Sequence, residues 1–155
     1  MRVRVATAGD LPGLVTMNAD VQAHHIAAEP SRYRPPDPDA VAEWFRGVLG
    51  AHELLVAERG GELVGYVIFS VVRRDVSTFA AARTFLLVDQ LGASVRREGV
   101  GRALLAAVHT LAAERGIDGV ELDVRAVNDS AVAFYEALGY RPVKLRMRWE
   151  RGVAG

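Results

Sequence analysis

Polar and apolar positions alternate at the start of the chain, and helical spacing then follows. Residues 2–6 alternate in this way, which predicts an edge strand. Thr7 followed by Asp10 resembles a capping box, and the apolar spacing after it predicts a first helix. A proline-rich stretch at 29–38 predicts a loop, and apolar positions over 41–49 predict a second helix.

The central part of the chain has the pattern of strands. Apolar runs at 54–58 and 63–72 flank Gly60–Gly61, a pair that tolerates positive φ, so this part predicts a hairpin. Residues 84–91 are apolar enough to predict a strand in the middle of a sheet.

The second half of the chain predicts helix, strand, helix and strand. An apolar stripe followed by Gly116 predicts a helix over 102–115. Strands are predicted at 119–125 and 140–149, with a short helix at 130–138 between them. This order predicts one α/β domain over residues 1–155, with a mixed sheet and helices on both faces. The strands 84–91 and 119–125 should be parallel neighbours, because a helical crossover joins them.

The amino-acid composition excludes several functional classes for this chain. The chain has 155 residues, of which 50% are hydrophobic, and this is sufficient for one core. Its formal net charge of zero argues against a nucleic-acid partner. The absence of cysteine excludes disulfides and thiol nucleophiles, and the four histidines lack metal-binding spacing, so no metal is expected. The first residues contain no long apolar run, so a cytoplasmic protein without membrane contact is expected.

A glycine-rich turn precedes the clearest predicted helix. Gly99 and Gly101 remove side chains where the first helical amides, at the positive end of the helix dipole, lack carbonyl partners. Three arginines add positive charge to this segment: Arg96, Arg97 and Arg102. It lacks the Lys-Ser/Thr ending of a P-loop, and Leu104 replaces the third glycine of a dinucleotide fingerprint. The segment therefore predicts a site for another pyrophosphate-containing cofactor, unless the glycines simply form the turn that starts a helix.

A second motif follows the next predicted strand. Its residues are Asn128, Ala131, Phe134, Tyr135, Gly139 and Tyr140. With Arg96, Gly99 and Gly101, which match Gln/Arg-x-x-Gly-x-Gly/Ala, the chain resembles the GNAT superfamily of acetyltransferases. The resemblance covers the layout from the opening strand to the last.

The resemblance implies both a fold and an activity. The fold is a mixed, mostly antiparallel sheet of six to seven strands, splayed between the fourth and fifth strands. The activity is transfer of an acetyl group from acetyl-CoA to a primary amine of a small molecule or peptide. A non-catalytic acyl-CoA-binding regulatory or partner module is the alternative, and a pure interaction protein is a third interpretation. Whether the chain forms a homodimer is left open.

The resemblance also implies which residues contact the cofactor. The implied contacts are Leu91, Gly92, Ala93, Arg96, Arg97, Glu98, Gly99, Val100, Gly101, Arg102, Asn128 and Tyr135. Amides of 96–102 would hold the pyrophosphate of coenzyme A, and the strand edge at 91–93 would pair with the pantetheine arm. The turn before Arg96 has the family's length if the strand ends at Leu91, and is two residues short if the strand reaches Ala93.

Catalysis requires an acid and a base. Tyr135 would lie beside the thioester sulfur and protonate the leaving thiolate, because a phenol is a plausible donor to sulfur. Asp89 is the only acid on the strand that precedes the glycine-rich turn. It is the candidate base, unless it is simply a solvated carboxylate. A water relay to Glu53 or Asp123 is the alternative base. The loops at 29–38 and 77–83 are expected to select the acceptor.

Overall fold

The computed structural model of this chain describes residues 1–94 and 98–152, which divide into two compact units, Met1–Asp123 and Val124–Gly155. Elements of the first unit are β1 (Arg2–Val5), α1 (Leu11–Ala28), α2 (Pro38–Ala51), β2 (Glu53–Arg59), β3 (Glu62–Arg74), β4 (Arg83–Ala93), α3 (Val100–Glu114) and β5 (Gly119–Leu122). The second unit contains α4 (Asp129–Glu136). The expectation of a single domain stays a prediction.

The strands form one open sheet in the order β1-β2-β3-β4-β5. The first three pairings are antiparallel, and β4 and β5 are parallel. The predicted mixed, mostly antiparallel sheet and its parallel neighbours are therefore confirmed. Within the described residues the sheet has five strands, not the six to seven that the family resemblance implies.

The final predicted strand, at 140–149, does not form. Its apolar residues alternate with basic ones, but four of them are exposed: Val143, Leu145, Met147 and Trp149. The whole stretch carries no regular secondary structure. Alternation favours a strand only where a neighbouring backbone completes its hydrogen bonds, and the segment pairs with no strand of the described residues.

The pairing of β4 with β5 covers only part of β4. It runs from Phe85–Gly119 to Val88–Leu122, while β4 continues to Ala93. Beyond Val88, no strand of the described residues pairs with this edge of β4. The sheet therefore opens between its fourth and fifth strands, as predicted. The strand β4 ends at Ala93, two residues beyond its predicted end, and the turn up to Arg96 lies partly outside the described residues.

Helices cover both faces of the sheet, as the order of the predicted elements implies. On one face, α1 and α2 pack on a core that includes Phe45, Tyr66 and Ile68, and the Phe45 and Tyr66 rings meet edge to face at 5.6 Å. On the other face, α3 buries one stripe of its residues: Val100, Leu104, Leu105, Val108 and Ala112. The helix starts at Val100, two residues before its predicted start, so Gly101 belongs to its first turn.

An ion pair connects β1 to the start of α1. Arg4 donates to both carboxylate oxygens of Asp10 at 2.8 and 2.9 Å, and also to Glu58 on β2. The Thr7 N–H donates to the same Asp10 carboxylate at 2.7 Å, so the predicted acidic member of the capping box takes its expected place. The Arg4 hydrogen bond lowers the pKa of the buried Asp10 to about 2.

A glycine on β3 allows α3 to approach the sheet closely. A Cβ added to Gly65 would overlap the Val100 side chain and lie 3.0 Å from the Gly92 carbonyl oxygen. It would also lie 3.1 Å from Leu104 Cδ1. The first turn of α3 can therefore rest on β3 only because residue 65 has no side chain.

Gly65→Ala should lower the free energy of unfolding by about 1–3 kcal/mol, because the added methyl overpacks the contact with Val100. Urea unfolding followed by circular dichroism measures this change. The matched control is Gly47→Ala in α2, where an added Cβ meets nothing within 4 Å. That variant should gain about 0.5–1 kcal/mol from helix propensity. Equal stability of Gly65→Ala and the wild type would show that the close contact imposes no constraint.

Candidate functional site

The start of α3 presents backbone amides without a side-chain cap. Gly99 is the N-cap and has φ of +78°, a conformation that side-chain-bearing residues rarely adopt. The Ala103 N–H donates to the Gly99 carbonyl at 2.9 Å, which leaves the amides of residues 100–102 without intrahelical acceptors. Within the described residues, no side chain caps them. These amides, at the positive end of the α3 dipole, form a ready site for an anion.

Charged side chains surround the start of α3. Glu98 forms an ion pair with Arg59 of β2, and Arg59 also donates to the Glu98 carbonyl at 3.4 Å. Arg102 is exposed on the first turn. Arg96 and Arg97, both predicted to contact the cofactor, lie outside the described residues. Because Arg59 offsets the Glu98 carboxylate, Glu98 does not impose an unpaired negative charge beside the amides.

The end of β4 is the second part of the predicted cofactor site. Leu91, Gly92 and Ala93 pair with β3 on one side, and no strand of the described residues pairs with them on the other. A Cβ on Gly92 would lie 2.6 Å from Tyr66 Cε1. Glycine is therefore needed at this position, because the Tyr66 ring of the neighbouring strand packs directly against it. The backbone N–H and C=O groups at the open edge of β4 can pair with amide groups of a ligand, and the amides at the start of α3 can bind phosphates. Coenzyme A contains both kinds of group.

Asp89 lies in a β-bulge. Ile68 pairs with Gln90 and Phe69 with Val88, so Asp89 is the extra residue of β4. Its side chain is exposed and accepts a hydrogen bond from Ser70 Oγ at 3.3 Å. The carboxylate is therefore accessible to solvent, as a base that exchanges protons with water must be.

The other two candidate bases have different surroundings. Both Glu53 carboxylate oxygens accept hydrogen bonds from the Arg115 guanidinium at the end of α3. Asp123 is exposed after the end of β5. The guanidinium holds Glu53 in an ion pair, so a water relay to Glu53 would have to compete with Arg115.

A pocket of about 630 Å³ opens on the α1–α2 face of the sheet. Arg34 and Asp37 of the proline-rich loop line it together with Trp44 of α2. Part of the predicted acceptor loop therefore faces a cavity, whereas the 77–83 loop does not line it. Asn18 of α1 and Gln90 of β4 also line the pocket, and no sequence pattern singles out either residue.

Asn18, Gln90 and Tyr66 form a hydrogen-bonded cluster next to this pocket. The Tyr66 hydroxyl donates to Gln90 Oε1 at 2.7 Å, and Asn18 Nδ2 donates to the same oxygen at 3.3 Å. Asn18 Nδ2 also donates to the Tyr66 hydroxyl oxygen at 3.1 Å. Burial raises the pKa of Tyr66 to about 12, so its hydroxyl remains a neutral donor at physiological pH. The three residues come from α1, β3 and β4, and no local sequence pattern connects them.

The second unit contains the remaining candidates. Asn128 is the N-cap of α4, and its Oδ1 accepts from the Ala131 N–H and from Ser130 Oγ, both at 3.1 Å. Tyr135 lies on α4, with its ring 5.7 Å from that of Tyr140. Burial raises the pKa of Tyr135 above its usual value, so its hydroxyl stays protonated and can donate a proton. Asn128 therefore has a structural role as a helix cap as well as its predicted contact with the cofactor.

Membrane-spanning helices and metal-binding clusters are both missing from the part of the chain that the structure describes. No helix there is both long enough and apolar enough to cross a membrane. Among the same residues, no group of three or more histidine and acidic side chains is arranged to hold a metal ion.

Comparisons with known proteins give relatives and a fold. The family model described as the acetyltransferase (GNAT) family matches residues 18–140. The ribosomal protein bS18-alanine N-acetyltransferase of Escherichia coli (strain K12) is 32% identical over 91 residues, which are 59% of this chain and 56% of that protein. This chain thus spans little more than half the length of that relative.

A second relative matches more of its own length. The N-alpha-acetyltransferase RimI of Mycobacterium tuberculosis is 34% identical over 116 residues, which are 74% of this chain and 69% of that protein. Among solved structures, a mutant BH1408 protein from Bacillus halodurans superposes with a TM-score of 0.89 at 24% identity. That match covers 97% of this chain and 99% of the other, and it supports the fold alone.

Proposed function

The chain belongs to the acetyltransferase (GNAT) family, and on that premise we propose that it transfers an acetyl group from acetyl-CoA to a primary amine. The observation that carries the proposal is the uncapped start of α3, which follows the unpaired end of β4. The first feature suits the pyrophosphate, and the second suits the pantetheine arm. One cofactor with both groups accounts for the two features together.

Each proposed cofactor contact has a defined role. Amides of 96–102 donate to the pyrophosphate oxygens. The backbone of Leu91, Gly92 and Ala93 pairs with the amides of the pantetheine arm, as an added strand would. Asn128 contacts the cofactor arm through atoms that its capping hydrogen bonds leave free.

The proposed reaction exchanges one bond for another. Acetyl-CoA supplies an activated thioester, whose carbonyl carbon a neutral amine can attack. A carbon–nitrogen bond forms, the carbon–sulfur bond breaks, and the amine loses one proton. Tyr135 donates a proton to the leaving thiolate sulfur. Asp89 accepts the amine proton, and a water relay to Glu53 or Asp123 is the alternative.

We propose the 630 Å³ pocket of the first unit as the site of the acceptor amine. The names of the two relatives specify an alanine of a ribosomal protein and an α-amine, so both describe amine acceptors. For this chain, a small-molecule or peptide amine is proposed. The cytoplasmic location, the absence of a nucleic-acid partner and the larger strand count stay predictions from sequence and resemblance, and whether the chain forms a homodimer stays open.

An acetyl-CoA consumption assay with a panel of amines tests the activity directly. Coenzyme A released by transfer carries a free thiol, and a thiol reagent detects it without background because the chain has no cysteine. We expect thiol release that depends on both enzyme and amine, with a matching N-acetylated product. Coenzyme A binding without turnover of any amine would instead support the non-catalytic acyl-CoA-binding module.

Gly101→Val should weaken coenzyme A binding about tenfold or more, because a β-branched side chain on the first turn of α3 would block phosphate access to the amides. Isothermal titration calorimetry with coenzyme A measures the change in affinity. The matched control is Gly47→Val on α2, which should bind coenzyme A as the wild type does. A folded Gly101→Val variant with unchanged affinity would rule out the proposed pyrophosphate site.

Tyr135→Phe should lower kcat by about 100-fold, the low end of the range for general acid catalysis, because thiolates are fairly good leaving groups. Acetyl-CoA affinity should hardly change, since the ring still packs on α4 and the lost contact forms mainly in the transition state. Steady-state kinetics across a pH series, with affinity measured separately, tests both statements. Tyr140→Phe is the control, because it removes the hydroxyl of the neighbouring ring, to which no catalytic role is assigned. Equal turnover of Tyr135→Phe and the wild type would reduce Tyr135 to a packing residue.

A further inference from the structure

Asn18 and Gln90 each have one polar atom that the cluster with Tyr66 does not use. The described hydrogen bonds use Asn18 Nδ2 and Gln90 Oε1, and leave Asn18 Oδ1 and Gln90 Nε2. No buried side-chain nitrogen or oxygen of the described residues lacks a partner, so these two atoms are not fully buried. Both residues line the pocket, so each of these two pocket-lining side chains has one polar atom that the cluster does not use.

The cluster determines the orientation of the Gln90 amide. Tyr66 and Asn18 both donate to its oxygen, which directs the nitrogen and its two N–H groups away from them. Asn18 is only 3% exposed, and its amide nitrogen is held by two acceptors. The pocket thus contains an oriented donor beside an oriented acceptor, and both are uncharged.

From this geometry we infer that Asn18 and Gln90 select an acceptor whose amine has a carbonyl group next to it, as an aminoacyl unit has. The Gln90 Nε2 donates to the carbonyl oxygen of the acceptor, and Asn18 Oδ1 accepts an N–H of its amine. A ligand with a donor and an acceptor in neighbouring positions matches both free atoms at once. An amine without the carbonyl would leave the Gln90 N–H groups unpaired, which disfavours its binding.

The inference rests on the proposed acetyltransferase function, and it assigns specificity to Gln90 rather than a catalytic role. Gln90 is held by two other side chains and lies at the point where β4 has lost its β5 partner. The position suits a group that orients an acceptor near the proposed pantetheine edge. Selectivity between two amines is therefore the relevant measurement, because a purely structural role would not change it.

The test compares alaninamide with isopropylamine, which lacks the carbonyl, by the ratio of their kcat/KM values. Gln90→Glu is the decisive variant, because its carboxylate still accepts from Tyr66 and Asn18 while losing the N–H groups. We expect the preference for alaninamide to fall about tenfold or more in this variant, with coenzyme A affinity unchanged. The amines differ in basicity, but that difference is the same for every variant and cancels in the comparison.

Two further variants complete the experiment. Gln90→Leu should lose the same preference without a new charge, although it also removes the oxygen that accepts from Tyr66 and Asn18. Thr16→Ala changes an exposed residue of the same helix as Asn18 that does not line the pocket, so it should leave the ratio unchanged. An unchanged ratio in both Gln90 variants, with turnover retained, would overturn this inference and leave the acetyltransferase proposal intact. Acetylation of isopropylamine but not of alaninamide by the wild-type enzyme would also overturn this inference and leave the acetyltransferase proposal intact. If the enzyme acetylated no amine at all, both the inference and the acetyltransferase proposal would be overturned.

Discussion

The loss of strand pairing along β4 is the constraint on which the candidate site depends. From Phe85 to Val88, β4 pairs with a strand on each side. From Asp89 onward only β3 remains as a partner among the described residues, so one edge of the strand is free. An open edge within a sheet is normally covered or charged, because unpaired backbone groups attract other strands. Here the opening precedes, along the chain, the start of α3 that presents free amides.

Two glycines make this arrangement sterically feasible. Gly65 allows the first turn of α3 to pack on β3, and Gly92 allows β4 to pass over the Tyr66 ring. They act on opposite faces of the sheet, since one meets Val100 and the other meets Tyr66. The start of α3 therefore packs closely on one face of β3, and the Tyr66 ring packs closely on the end of β4 at the other face. A side chain at either position would displace the elements that form the proposed cofactor site.

The β-bulge at Asp89 determines which face of the sheet carries the Gln90 side chain. The extra residue places Gln90 opposite Ile68, whose side chain belongs to the α1–α2 core, so Gln90 faces that side of the sheet. There it meets Asn18 and Tyr66 in a cluster whose buried polar atoms are all satisfied. A satisfied polar cluster at the edge of a core specifies side-chain orientations that apolar packing would leave variable. The pocket thereby gains directional hydrogen-bonding groups without a buried charge.

Local patterns in the sequence were sufficient to predict most of the elements and the glycine at the start of α3. Hydrophobic periodicity located the helices and the first five strands, because each pattern reflects which face of one element is buried. The glycines at 99 and 101 led to the proposed anion site, because the positive φ of Gly99 and a helix start without side chains are properties of the local backbone. Alternation over 140–149 predicted a strand that did not form, since a strand also needs a partner that its own residues cannot supply. The bulge at Asp89, the close contact at Gly65 and the cluster of Asn18, Tyr66 and Gln90 were decided only by the tertiary structure. Each of them joins residues distant in sequence, and neither register nor contact between separate elements is encoded in a local pattern.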